Sequence, residues 1–172
     1  APKQHSEEDF RSWVEAGQHR QAAEWLVLRY ADEVMGLCTA MVRDRVAAED
    51  LVQDVFGRAF MGLAGFRAEA SSRTWLLKIA RNRCIDHLRS RNREPWGVGD
   101  PEHGFDADAF PDDEPMPPDL LDRREDVEAA LDSLVEGDRA LIVLRFRNGL
   151  DYSELATAFG LKPGTDFSTV TR

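Results

Sequence analysis

The sequence predicts an all-α fold: two small helical domains joined by an acidic, proline-rich linker. Three observations predict it. Apolar residues recur at three- and four-residue spacing along most of the chain, with no convincing period-2 run of β-branched residues. Residues 94–122 hold ten acidic residues, six prolines and no Lys or Arg, a composition that disfavours a packed core. The 172 residues suffice for one ordinary domain or two small ones. The predicted layout is a helical domain over 1–93, a flexible linker over 94–122 and a second helical domain over 123–172.

The helices follow in order. The periodicity predicts 7–16, 19–42, 46–64 and 72–92 in the first domain. It predicts 124–136, 138–148, 152–159 and a helix starting at 163 in the second. On 72–92, Leu76, Leu77, Ala80, Cys84 and Leu88 gather on one side at about 100° per residue, which makes that side the core face. Ser71 or Ser72 caps its start. In the segment LDYSELATAFGLKPGT, Asp151 and Glu154 have the spacing of a capping box. Tyr152, Leu155, Ala156 and Phe159 form a narrow apolar face there. Gly160 permits a left-handed turn, and Pro163 suits the first turn of a new helix. Two short helices so joined read equally as a helix-turn-helix or as an αα-hairpin with no DNA role.

Charge is distributed in blocks. The chain carries a net charge of −10, yet residues 71–93, SSRTWLLKIARNRCIDHLRSRNR, hold seven Lys/Arg and one acid. Lys78, Asn82, Arg89 and Arg93 gather opposite the core face, with Ile85 interrupting them. A charge run is usually a solvated face, but solvated helices mix signs through i,i+4 pairs. A one-signed stripe suits a polyanion whose counterions are released on binding. Trp75 and Phe66 lie near its start, where they can stack on bases or fill the core.

Other function classes are poorly supported. Cys38 and Cys84 have no metal spacing and read as reduced, buried small residues. No phosphate-cradling glycine loop or nucleophile–base arrangement appears, so neither a cofactor nor an enzyme is predicted. No apolar run approaches the ~18 residues of a membrane span, and the N-terminus lacks a charged-then-apolar signal. A cytoplasmic protein without membrane insertion is the consistent reading.

AEDLVQDVFGRAF (48–60) and residues 71–93 together resemble region 2 of bacterial sigma factors of the extracytoplasmic-function group, which is group 4 of that family. ALDSLVEGDRALIVLRFRNGLDYSELATAFGLKPGT (130–165) resembles region 4 of the same group. The resemblance implies a non-enzymatic factor that binds core RNA polymerase and directs it to promoter DNA, with an anti-sigma factor as a further partner. It implies core-polymerase contacts at Glu49, Asp50, Leu51, Gln53, Asp54 and Phe56. It implies −10 DNA contacts at Arg73, Trp75, Lys78, Arg81, Asn82, Arg89, Arg91 and Arg93. Asn82 can pair with a base edge, whereas Lys and Arg mainly hold phosphate. The corresponding −35 positions are Lys162, Pro163, Thr165, Ser168 and Arg172. Here the chain departs from the family: Asp166 and Phe167 follow Thr165, where an apolar residue and a cation are usual. Weak −35 binding is therefore expected. The rival readings are a DNA-binding regulator that acts without polymerase and a sigma-like module that only binds an inhibitor.

Overall fold

The computed structural model describes residues 5–91 and 130–159, and these are all-helical with no strand among them. Helix α1 spans Glu7–Glu15, α2 His19–Val42, α3 Arg45–Gly62 and α4 Ser72–Arg91. A 3₁₀ turn, Leu63–Gly65, ends α3. Residues 130–133 are helical, then α5 spans Glu136–Ile142, runs into a π turn at Val143–Arg147, and α6 spans Tyr152–Ala158.

Local chemistry sets the helix starts. Ser6 and Asp9 form a reciprocal capping box on α1. Asp44 accepts from the Ala47 amide and starts α3 one residue earlier than the periodicity predicts. Ser71, rather than Ser72, caps α4 by accepting from the Thr74 amide at 3.1 Å. Ser72 is buried inside the first turn, where Glu7 accepts from its amide at 2.6 Å and from its hydroxyl. A carboxylate from α1 thus sits at the positive end of α4, a placement the helix dipole favours. The Asp151–Glu154 capping box on α6 forms as expected.

The four N-terminal helices pack around one apolar core. Phe10, Leu26, Val34, Leu37, Cys38, Met41, Val55, Leu63, Leu76, Leu77, Ala80 and Cys84 are almost wholly buried. Cys38 and Cys84 meet across α2 and α4 with sulfurs 3.6 Å apart, both as free thiols. An aromatic chain closes the end near α1. Phe10 stacks on Trp25 at 5.2 Å and meets Phe66 edge-on, and Phe66 meets Trp75 at 5.2 Å. Such pairs add about 0.5–1.5 kcal/mol each beyond the area they bury.

The C-terminal helices lie against this bundle. Ala140, Val143, Leu144, Leu150, Leu155 and Ala158 join the same apolar cluster. Buried Arg139 donates to the carbonyl of Met41 in the last turn of α2 at 2.9 Å, and to the carbonyls of Leu131 and Asp132. It thereby satisfies a helix-end carbonyl and places a cation at the negative pole of α2. Gly149, at φ +68°, makes the left-handed turn into α6. The linker 94–122, the start of the helix predicted at 124 and the helix predicted from 163 lie outside the described residues. The helix expected over 124–136 breaks at residues 134–135, and the one expected over 138–148 begins at Glu136.

Candidate functional site

Two faces of the bundle carry the predicted sites. The first is the outer side of α3. Glu49, Asp50 and Gln53 are exposed, Leu51 is buried, and Phe56 is half-buried against the core. Asp54 is not a free surface acid. It is half-buried and accepts from Arg58 at 3.1 Å and from Arg83 of α4. Burial alone would raise the Asp54 carboxyl, but the hydrogen bonds from Arg83 and Arg58 outweigh it and hold the group below its ordinary range.

The same face carries large apolar residues that the sequence reading missed. Val46 is 70% exposed, Met61 80% and Phe60 46%, and Leu28 of neighbouring α2 is 88% exposed. Ala23, Val27, Leu28 and Phe60 line one shallow cleft between α2 and α3. Their signal was present in the sequence. Trp25-Leu26-Val27-Leu28 is four apolar residues in a row on a helix, and a helix can turn only about half of such a run inward. Trp25 and Leu26 went in; Val27 and Leu28 stayed out.

The second face belongs to α4. Its predicted core residues Leu76, Leu77, Ala80, Cys84 and Leu88 are all buried, and so is Ile85, one turn beyond Arg81. Asn82 and Arg91 are exposed; Lys78, Arg81 and Arg89 are half-buried. Lys78, Asn82 and Arg89 share one side of the helix, whereas Arg73 and Arg81 stand elsewhere around it. Trp75 is half-buried, with its ring against Phe66 and close over Gly62, where an added Cβ would lie 3.3 Å away. Arg93 lies outside the described residues, as do Lys162, Pro163, Thr165, Ser168 and Arg172.

Compensating acid reaches this helix from far along the chain. Arg73 donates through Nε to both Glu33 oxygens, at 3.0 and 3.1 Å, and through Nη2 to the Asn148 carbonyl. Its Nη1 stands 3.8 Å from Glu154. The hydrogen bond to Glu33 outweighs burial and raises the Arg73 guanidinium above its usual value. Arg81 instead lies over the Phe159 ring, 3.9 Å from its centroid. Burial, with repulsion from Arg89 adding to it, pushes Arg81 down to about 10.

An acidic and apolar surface on α2 and α3 thus shares one helical bundle with α4, a helix rich in cations. Residues 26–94 match the family Sigma-70 region 2. The chain is 31% identical over 164 residues to the RNA polymerase sigma-H factor of Pseudomonas aeruginosa, an alignment covering 89% of this chain and 82% of that protein. It is 35% identical over 150 residues to the ECF RNA polymerase sigma factor SigE of Mycolicibacterium smegmatis, covering 86% of this chain and 56% of that one. It is 35% identical over 124 residues to the ECF RNA polymerase sigma factor SigX of Bacillus subtilis, covering 69% of this chain and 62% of that one. The chain spans less than two thirds of the length of these last two relatives. The chain belongs to the sigma factors of RNA polymerase, and its function is that of an alternative sigma factor in transcription initiation.

Among the described residues, no helix is long and apolar enough to cross a membrane.

Proposed function

We infer that this sigma factor is of the extracytoplasmic-function group and divides its work between the two faces. The outer side of α3, with Glu49, Asp50, Gln53, Asp54 and Phe56, docks on core RNA polymerase. Val27, Leu28, Phe60 and Met61 extend that surface. Helix α4 faces the −10 element, with Asn82 reading a base edge and Arg73, Lys78, Arg81, Arg89, Arg91 and Arg93 following phosphates. Trp75 supports this face from its aromatic contacts. The region-4 part acts through its helix-turn-helix, with weak −35 contact at Lys162, Pro163, Thr165, Ser168 and Arg172. The division into domains 1–93 and 123–172 across the linker 94–122 belongs to the same reading. So do a cytoplasmic location and regulation by an anti-sigma factor.

One observation carries the docking assignment. Large apolar side chains stand exposed beside acids on the α2–α3 surface of an otherwise well-packed bundle. Contiguous exposed apolar surface rimmed by polar groups marks a protein–protein interface. A pull-down of core polymerase tests it. Leu28→Asp and Asp50→Arg, both at exposed positions, should fold normally and capture much less core than the wild type. Undiminished capture by both variants rejects this face as the docking site.

A further inference from the structure

Two consecutive residues at the start of α4 are held by carboxylates from two different helices. Glu33 of α2 accepts from the Arg73 guanidinium, and Glu7 of α1 accepts from both the amide and the hydroxyl of Ser72. The first amides of a helix have no partner inside it. Here the Ser71 hydroxyl accepts from the Thr74 amide at 3.1 Å, and Glu7 accepts from the Ser72 amide at 2.6 Å. Ser72 is 0% exposed and Thr74 2%, so water cannot stand in for a lost acceptor. The Tyr30 hydroxyl lies 3.5 Å from that of Ser72, at the limit of a hydrogen bond. A second link from α1 runs in parallel: Phe10 meets Phe66 at 5.3 Å, and Phe66 meets Trp75. From Leu76 onward the helix is anchored by the core instead.

We propose that Glu7 is a positioning residue for promoter DNA: it fixes the first turn of α4 so that Arg73 meets a phosphate of the −10 strand. The proposal rests on the reading of α4 as the promoter-facing helix. Glu33 sets the direction of the guanidinium, and Glu7 sets the backbone from which it hangs. Charge and geometry pull in opposite directions here. Glu7 is an acid beside a cationic helix, with Arg11 of its own helix 3.9 Å away. By charge alone its removal would tighten DNA binding. Positioning has the opposite sign. Without Glu7 the Ser72 amide and hydroxyl lie buried without an acceptor, the first turn frays, and Arg73 loses its fixed base.

The test uses core polymerase reconstituted with the full chain. The probe is a fluorescent single-stranded DNA of about 15 nucleotides, the sequence that wild-type holoenzyme enriches from a random pool. Anisotropy over a salt series gives the affinity. Glu7→Ala should bind the probe roughly five- to tenfold more weakly, with a salt slope lower by up to about 0.7, the share of one phosphate on a single strand. Arg73→Ala should show the same loss, and the two substitutions together should cost no more than either alone. Glu7→Gln removes the charge and keeps an oxygen for the Ser72 amide, so it should bind at least as well as the wild type. Amide exchange at Ser72 and Arg73 should quicken in Glu7→Ala and not in Glu7→Gln. Should Glu7→Ala fail to fold, Ser72→Ala keeps the amide bond and loses the hydroxyl one. A loss of roughly two- to threefold is expected of it, and none once Arg73 is also replaced by Ala.

Unchanged or tighter binding by Glu7→Ala would overturn the positioning role. Losses that add to those of Arg73→Ala would overturn it too, since they mark a general loss of structure, and would leave the promoter reading of α4 intact. If Arg73→Ala binds as the wild type does, the promoter reading of Arg73 fails, and the positioning role fails with it.

Discussion

Arg73 and Glu33 join α4 to α2 by a forked hydrogen bond, with Nε between the two carboxylate oxygens at 3.0 and 3.1 Å and Nη2 on Oε1 at 2.5 Å. Both side chains are mostly buried, so the pair is partly shielded from solvent. Glu33→Ala should destabilise the fold by about 1–3 kcal/mol, because it leaves a half-buried cation short of acceptors. Glu33→Gln should cost less, since its amide oxygen still accepts. Urea unfolding of the two variants measures this, and an Ala variant as stable as the wild type would refute it.

Asp54 gives a pH dependence with a defined sign. Its folded-state carboxyl lies below the ordinary value of 3.8, so its contribution is full above that pH and is lost as the pH falls through the folded value. Solvent screening at this partly exposed site keeps the contribution below about 1 kcal/mol. Asp54→Asn should therefore be slightly less stable than the wild type at neutral pH, and the gap should close in acid. A gap that widened below pH 3.8 would contradict the assignment. The same geometry makes Asp54→Arg a poor probe of polymerase docking, since it would set a third cation against Arg58 and Arg83. Asp50→Arg isolates docking from stability.

Arg81 separates stability from DNA contact. Arg81→Met removes a buried donor with no partner at Nε and keeps an apolar stem under Phe159. It should raise stability by on the order of 1 kcal/mol, seen as a higher melting temperature, and weaken −10 binding. A variant that melts lower and binds DNA normally would show that Arg81 is structural only.

Asn82 is exposed on α4 and accepts from Arg81 Nη1 at 2.8 Å. Asn82→Ala should relax base preference in the −10 element by roughly 1–3 kcal/mol if its contact is bidentate. Loss of a phosphate-binding cation such as Lys78 should instead lower affinity for all sequences and reduce the salt slope by about 0.7–0.9. An Asn82→Ala variant that shifts every sequence equally would remove Asn82 from base reading.

The contrast among these residues shows what the sequence could reveal. The core face of α4, the Asp151–Glu154 box and the helix order follow from periodicity and local capping, which act within one or two turns. The Glu7 carboxylate at the start of α4, 65 residues away in sequence, does not. Neither does Glu33 on Arg73 or Phe159 on Arg81. All three are long-range contacts set by packing, and the last two change the meaning of residues that read locally as free cations. Ile85 is the instructive case: it interrupts a polar stripe in the sequence and is buried in the fold. The π turn at Val143–Arg147 likewise leaves no mark in the apolar spacing.

The role proposed for this chain is to join core polymerase to promoters. The most direct measurement is transcription by core RNA polymerase reconstituted with the full chain on a library of genomic fragments. Initiation is expected from a discrete set of fragments sharing a −10 motif, with Asp50→Arg abolishing it and Asn82→Ala blurring the motif. Core polymerase that initiates no differently with the chain than without it would contradict that role.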